Sequence, residues 1–538
     1  MRKKAGPKRF ARSWLLARVH FDAFRSAPKV YLVACWWWTF RRRVRARAMI
    51  EPLLGASPHA YSLWRARHEY AAAREGQSAP SSAVRIVIGL DLSEGESGSD
   101  ITLESLDRTH ASIDVMKLGK VGLAAQTMPE LPFWIIPVAP GDRVAPDAIA
   151  VYSAAAEGTQ QSILYADDDV CDEQGLRDRP HFKPSWNSEL FQWHDYLSYA
   201  CMIRIDDPSE LAALTDREDW VRQLIDRRLA ASPGQVGHVK RLLHHRRRPS
   251  KPKLPLNASH VGEEILPPVT VIVPTRNRVE LLRTCMAGLA ETDYPLLDVI
   301  VIDNDSDDPH TLDYLKEIEG PKCRVLKYEG PFNYAAMNNA AVSLATGELV
   351  CFLNNDIEML DVDWLIHLAR QAINPTTGAV GARLLYADGS IQHAGVVIGV
   401  GGGAAHAHRY LRPEDEGYFS RHNLPQSVTA VTAACLLVRR AYFQAVGGFD
   451  EKRFPVAFND VDLCLKLNER GWQSFYEPRA TLIHHESKSR GKDSHRSNRR
   501  RFAAELAALK ERWQTETTID PYHHPSLSRY SEQFVLRT

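Results

Sequence analysis

The second half of this 538-residue sequence predicts an α/β fold built on a mostly parallel sheet flanked by helices, and three observations predict it. From Val269 onward, short β-branched runs alternate with helical patterns. The intervals between runs are long enough for crossover helices, which parallel strands require. Polar and acidic residues stand directly after the runs, where open α/β sheets form their ligand crevice.

The first strand, Val269-Thr-Val-Ile-Val273, leads into Pro274-Thr275-Arg276-Asn277 and a helix over Arg278 to Ala290. The second, Leu297-Asp-Val-Ile-Val-Ile302, leads into Asp303-Asn304-Asp305-Ser306-Asp307-Asp308 and a helix over His310 to Ile318. The third is Cys323-Arg-Val-Leu-Lys327, before a helix over Asn333 to Ala345. The fourth, Glu348-Leu-Val-Cys-Phe-Leu353, delivers Asn354-Asn355-Asp356. Each loop alone has ordinary turn composition. Three of them at strand ends of one sheet make a set able to grip a base, a ribose and a metal-bound diphosphate. Further on, Phe458-Asn459-Asp460-Val461-Asp462 opens another helix. A carboxylate at that terminus is favoured by the helix dipole and is also placed to act as a general base toward an acceptor hydroxyl.

Length allows two or three domains, each with its own core. The segments read as a basic, helical arm (1–82), a first domain (83–250) opening on Val84-Arg-Ile-Val-Ile-Gly-Leu90, a linker (251–268), the domain just described (269–490) and a helical tail (491–538). Net charge is +1, yet fourteen Lys or Arg and a single acid, Asp22, lie between Arg2 and Arg47. Such an arm suits an anionic surface. Trp36-Trp37-Trp38 ahead of Arg41-Arg42-Arg43-Val44-Arg45-Ala46-Arg47 favours a membrane interface over nucleic acid. Each Arg near an anionic leaflet adds about 1 kcal/mol. No apolar run approaches the roughly 20 residues that span a bilayer. The eight cysteines are scattered without Cys-x-x-Cys, which predicts reduced thiols in a reducing compartment.

In order, the motifs are Thr-Val-Ile-Val-Pro-Thr-Arg-Asn, Val-Ile-Val-Ile-Asp-Asn-Asp-Ser, the Phe332-Asn333…Asn338 helix, Asn354-Asn355-Asp356, Val446-Gly-Gly-Phe-Asp450, Asn459-Asp460-Val461-Asp462 and Leu482-Ile-His-His-Glu-Ser487. Together they resemble the family 2 glycosyltransferases, an inverting group with the GT-A fold, and within it the rhamnosyltransferase-like members that build O-antigen and related polysaccharides. The resemblance implies a sugar moved from a nucleotide diphosphate-sugar, with dTDP-rhamnose as a candidate donor, to a lipid-linked or polysaccharide acceptor. It also implies work in the cytoplasm, on the inner face of the cytoplasmic membrane. Carried over, Asp460 is the catalytic base, while Thr275, Asn277, Asp303, Asn338, Asn355 and Asp356 hold the nucleotide-sugar. Asp356 and His484, with His485 beside it, are the candidate ligands of a Mg²⁺ or Mn²⁺ ion, and His408, Thr432 and Asn459 face the acceptor. Two departures stand out: the family's Asp-x-Asp is Asn354-Asn355-Asp356, and its Glu-Asp is Asn459-Asp460. The thinned metal motif leaves a rival reading, a non-catalytic nucleotide-sugar or glycan binding subunit of a polysaccharide assembly complex.

The glycine run Gly399-Val-Gly401-Gly-Gly-Ala404 fits a dinucleotide fingerprint only formally, because no helix follows it. It reads better as a loop over the acceptor, with His408 and Arg409 behind it. Residues 83–250 resemble a worn copy of the same family: Trp134-Ile-Ile-Pro-Val-Ala-Pro-Gly-Asp142 stands for its strand and metal motif, with Ala139-Pro140-Gly141 in place of the triplet. Asp219 echoes the catalytic carboxylate. This predicts a smaller, degenerate GT-A-like domain used for acceptor binding or assembly.

Overall fold

The computed structural model describes residues 7–75, 84–109, 111, 113–119, 129–214, 217–255, 265–485 and 496–538. Residues 256–264 of the expected linker, and Glu486 and Ser487 of the last motif, lie outside the described residues.

The basic arm is helical, as its sequence predicts: α1 (Pro7–Ser26), α2 (Pro28–Thr39), α3 (Arg43–Gly55) and α4 (Ala60–Glu75). Two sheets follow. The first is made of β1 (Ile86–Asp91), β2 (Asp114–Leu118), β3 (Phe133–Val138), β4 (Arg143–Val144), β5 (Ile163–Cys171), β6 (Arg177–His181), β7 (Cys201–Ile205) and β8 (Val236–Arg246), in the order β2-β1-β3-β7-β5-β8-β4 with β6 beside β5.

The second begins with the four expected strands, β9 (Val269–Thr275), β10 (Leu297–Asp303), β11 (Cys323–Lys327) and β12 (Leu349–Leu353). It continues with β13 (Ile357–Met359), β14 (Thr377–Leu385) and β15 (Ile391–His393). After the separate hairpin of β16 (Val396–Ile398) and β17 (Ala404–His406), it ends with β18 (Gln426–Val428), β19 (Cys435–Arg439) and β20 (Gln473–His484). Its order is β11-β10-β9-β12-β19-β14-β20-β13.

One pairing pattern runs through both sheets. The central strand is parallel to two neighbours, β1 to β2 and β3, and β9 to β10 and β12. An antiparallel strand follows in each, β7 against β3 and β19 against β12. A long parallel pair comes next, β5 with β8 and β14 with β20, and a short antiparallel strand closes the sheet, β4 on β8 and β13 on β20. The first sheet thus repeats the pairing plan of the second.

The central strands read as continuous apolar runs because helices cover both faces. Alternation decides which side each residue serves. Ile272, Ile300, Val350 and Phe352 join one core, with Met337 and Ala341 of the helix Tyr334–Leu344. Val271, Val273, Val301 and Cys351 join the other, with Leu282 and Cys285 of the helix Val279–Glu291.

After the helix Arg496–Trp513 the tail is largely irregular and crosses both halves. Asp520 accepts the Ile398 amide at 2.8 Å, the Pro521 carbonyl accepts the Ser185 amide at 2.8 Å, and the Glu532 carbonyl accepts the His408 amide at 2.7 Å. The glycine run is the tip of the β16–β17 hairpin, and the tail holds it: the Gly401 amide donates to the Arg529 carbonyl and Thr515 Oγ1 to the Gly402 carbonyl, both at 2.8 Å.

Candidate active site

Strand ends bring the candidate residues together. Thr275 and Asp303 are cross-strand partners at the ends of β9 and β10. From the end of the adjacent β12, Asn355 Nδ2 donates to Thr275 Oγ1 at 2.9 Å. Asn277, in the left-handed region at φ 54, stitches two loops: its Oδ1 accepts the amides of Asp307 and Asp308, each at 3.0 Å. The Ser306 amide caps Asp303 Oδ1 at 3.1 Å. These contacts shape the crevice expected for the base and ribose.

Beside it, a cavity of about 220 Å³ is lined by Asn354, Thr432, Asn459, Asp460 and His484, all singled out in the sequence, and by Arg409. The pairing of β13 with β20 sets Ile357 opposite His484, so Asp356 is delivered next to that ring. His484 Nε2 lies 3.1 Å from Asp356 Oδ1. Its Nδ1 lies 2.7 Å from Gln392 Oε1, an acceptor only, so Nδ1 carries the proton and Nε2 presents its lone pair. The Asn354 amide group, 3.2 Å from Nε2, donates to that same lone pair. His485 turns away to Glu358, with Nε2 at 2.8 Å from its carboxylate.

Asp460 opens the helix Asn459–Glu469 from the second position, half-buried at the cavity wall. It accepts the Val461 amide at 2.8 Å and the Ala433 amide at 3.1 Å. Burial raises its carboxyl above the usual range, and those amides and the Thr432 hydroxyl oppose the rise. Tyr334 Oη fixes the same segment by donating to the Ala433 carbonyl at 2.9 Å.

Two expected residues sit elsewhere. Asn338 is fully buried within its helix, donating to the Tyr334 carbonyl at 2.8 Å. His408 stacks on Phe534 of the tail at 4.3 Å, and burial, with nearby His422 and Arg421, drives its pKa well below the usual value. Its neighbour Arg409 takes the place at the cavity, with Nε donating to Tyr386 Oη at 2.6 Å. Gln392 and His406 line the cavity without any sequence signal. They come from strands of three residues, and their partners are distant in sequence. Burial first, then the Arg409 guanidinium, lowers the His406 pKa to about 4.

The first sheet keeps part of this arrangement. Asp142 precedes β4 as Asp356 precedes β13, one residue beyond the triplet Ala139-Pro140-Gly141, and Arg143 pairs with His245 as Ile357 pairs with His484. There, however, His245 Nδ1 is engaged by Asp169 at 2.8 Å, and Arg177 claims the same carboxylate at 2.6 Å. Asp142 accepts the Arg247 amide at 2.7 Å, and burial lifts its pKa to about 6. Asp219 precedes the helix Trp220–Ala231, which stands between β7 and β8 as the Asp460 helix stands between β19 and β20. It is exposed and held by Gln223 at 2.7 Å.

Residues 270–447 match the sequence model described as Glycosyl transferase family 2. The chain is 36% identical over 439 residues to the uncharacterized protein y4gI of Sinorhizobium fredii, covering 73% of this chain and 48% of that one. It is 35% identical over 393 residues to the O-antigen biosynthesis protein RfbC of Myxococcus xanthus, covering 66% and 31%. It thus spans less than half the length of either relative. A stretch of 63 residues, 12% of this chain and 20% of the relative, is 48% identical to the N-acetylglucosaminyl-diphospho-decaprenol L-rhamnosyltransferase of Mycobacterium tuberculosis. The solved mannosyltransferase PcManGT of Pyrobaculum calidifontis, in complex with GDP-Man and Mn²⁺, aligns at 22% identity over 48% of this chain and 68% of that one, with a TM-score of 0.35. The family match falls on the loops that gather Thr275, Asp303 and Asp356 along one sheet edge, and residues 270–447 are a glycosyl transferase family 2 domain, with the GT-A fold.

Proposed function

We propose that the half from Val269 onward transfers a sugar, with inversion, from a nucleotide diphosphate-sugar to a hydroxyl of a lipid-linked or polysaccharide acceptor in cell-surface glycan synthesis. The observation that carries this reading is one cavity lined by both Asp460 and His484, with Asp356 Oδ1 behind the wall at 3.1 Å from the His484 ring.

The pair fits a divalent cation. Cis ligands on a six-coordinate Mg²⁺, each about 2.1 Å from the ion, stand roughly 3.0 Å apart, and Asp356 Oδ1 and His484 Nε2 are 3.1 Å apart. Gln392, by fixing the Nδ1–H tautomer, keeps the acceptor lone pair on Nε2, where a cation would displace the Asn354 amide. When bound, the cation would neutralise charge on the departing diphosphate. Thr275, Asn277, Asp303 and Asn355 grip the nucleotide. Asp460 takes the proton from the acceptor hydroxyl as it attacks the anomeric carbon, and the Ala433 and Val461 amides hold the carboxylate in aim. Arg409, at the same wall, supplies positive charge toward phosphate.

Relatives named for O-antigen synthesis and for L-rhamnosyl transfer support dTDP-rhamnose as the donor to try first. Among the described residues no helix is long and apolar enough to cross a membrane. The arm nonetheless exposes Trp36 at 52%, Trp38 at 48% and Phe40 at 62% beside its arginines, which supports docking on the inner face of the cytoplasmic membrane. The first half, with its histidine and carboxylates tied to one another, serves acceptor binding or assembly.

Transfer assays over a panel of nucleotide sugars test the reading. Asp460→Asn is expected to lower turnover by about 10²- to 10⁴-fold with nucleoside-diphosphate binding unchanged. Wild-type turnover by that variant would sink the assignment. Asp356→Ala is expected to remove the Mn²⁺-dependence of nucleoside-diphosphate binding. If the wild type binds donor but transfers to no acceptor, the binding-subunit reading replaces this one.

A further inference from the structure

A second cavity, of about 730 Å³ against about 220 Å³ for the catalytic one, opens where the arm, the hairpin tip and the tail meet. Its charge is one-sided. Arg12 of α1, Arg47 of α3, Arg67 of α4, Lys510, Arg529 and Arg537 all line it, and the acidic side chains among its lining residues are Glu51 and Glu516. Those two acids are engaged. Glu516 pairs with Lys510 at 2.8 Å. Glu51 accepts the Ser528 hydroxyl, and burial holds its carboxyl above the usual range against the opposing charges of Arg47 and Arg537. Among the described residues, no side-chain carboxylate stands within ion-pair distance of Arg12, Arg67 or Arg537.

The cations also press on one another. Arg67 Nε is buried with no hydrogen-bond partner. Burial and the charge of Arg12 depress the Arg67 guanidinium. Burial, then Arg537, Arg67 and Arg12, depress His68 at the same wall. Like charges converging from three separate segments of chain cost stability unless an anion joins them. Guanidinium forks aimed from several directions suit the multiple oxygens of a phosphate. Next to the cavity, the Arg47 guanidinium lies 5.9 Å from the Trp38 ring, which belongs to the exposed aromatic face of α2.

We propose that this cavity is a second anion site, which binds a phosphomonoester or diphosphate group apart from the donor's own diphosphate. It is linked to catalysis by position. The β16–β17 hairpin lines it with Gly399, Gly401 and Gly402 at the tip, while His406 at the hairpin's foot lines the catalytic cavity. The proposal does not depend on the role given to Asp460 or Asp356.

The full chain titrated calorimetrically with inorganic pyrophosphate in EDTA tests it. Saturable binding is expected, weakened about tenfold by Arg67→Ala and about tenfold by Arg537→Ala. Asp356→Ala, at the other site, is expected to bind like the wild type. Arg12→Ala, at an exposed helix position, gives a variant that keeps the fold, and thermal melts matched to wild type qualify each protein. Flotation with phosphatidylcholine vesicles, with and without phosphatidic acid, separates the sources. Arginine-dependent recruitment by phosphatidic acid identifies a lipid headgroup, whereas pyrophosphate binding without such recruitment identifies a free phosphate. The proposal is overturned if neither probe binds, or if folded Arg12→Ala, Arg67→Ala and Arg537→Ala all bind pyrophosphate as tightly as the wild type.

Discussion

The orientation of the His484 ring depends on Gln392, which the sequence does not single out. Gln392 Oε1 accepts a hydrogen bond from Nδ1–H, and without that acceptor the ring is free to adopt the other tautomer or to turn. Gln392→Leu is therefore expected to weaken Mn²⁺ activation by about 10- to 100-fold, with much of the turnover restored at saturating metal. A metal titration of initial rates reads this directly. Asp460 gives a second expectation. Burial raises its carboxyl, and the base acts only when deprotonated, so activity is lost as pH falls through that raised value. The acid limb of kcat/KM should lie above the ordinary carboxylate range, and Asp460→Asn should abolish that limb in the residual activity. A limb at the ordinary value would mean that the amides of Ala433 and Val461 outweigh burial.

The strands that form the crevice were legible because their β-branched runs are long and bounded by polar turns. β9 to β12 begin within a residue of where the sequence puts them, and β11 coincides with it. The strands that complete the site were not. β13, β15, β16 and β17 have three residues each, too few for periodicity to register. Their position follows from long-range pairing, as when β20 sets His484 opposite Ile357. That is why Asp356, Asp460 and His484 could be named from motifs while Gln392 and His406 could not. Asn338 shows the opposite failure: its spacing matches a motif, but the helix packs it inward. Close strand approach also has a local test at Gly347. A Cβ there would lie 2.5 Å from the Thr270 nitrogen, 2.7 Å from the Leu349 oxygen and 2.9 Å from the Pro268 oxygen, all main-chain atoms that cannot turn aside. Gly347→Ala is expected to cost about 1–3 kcal/mol, seen as a lower denaturant midpoint with an unchanged slope.

The tail joins the whole. Its segment after Trp513 bonds to Ile398, Gly402, His408 and Arg421 of the second half, to Ser185 of the first, and to Arg47 and Glu51 of the arm. None of these contacts could be read from a Pro-rich polar stretch, because each partner is distant in sequence. Removing residues 514–538 is expected to uncouple the halves, so that one calorimetric unfolding transition becomes two. A single transition at an unchanged temperature would mean that the halves hold each other without it.

The repeated strand order carries a consequence for how the chain folds. Two neighbouring units with one pairing plan invite strands of one to dock in the other, the characteristic misassembly of tandem domains. The chain counters this by making equivalent strands unlike: Phe133-Trp-Ile-Ile-Pro-Val138 carries a proline and a tryptophan where Leu349-Val-Cys-Phe-Leu353 has neither. Divergence of the first half thus has an expected benefit for refolding, since strands that differ in sequence are less easily taken for their counterparts.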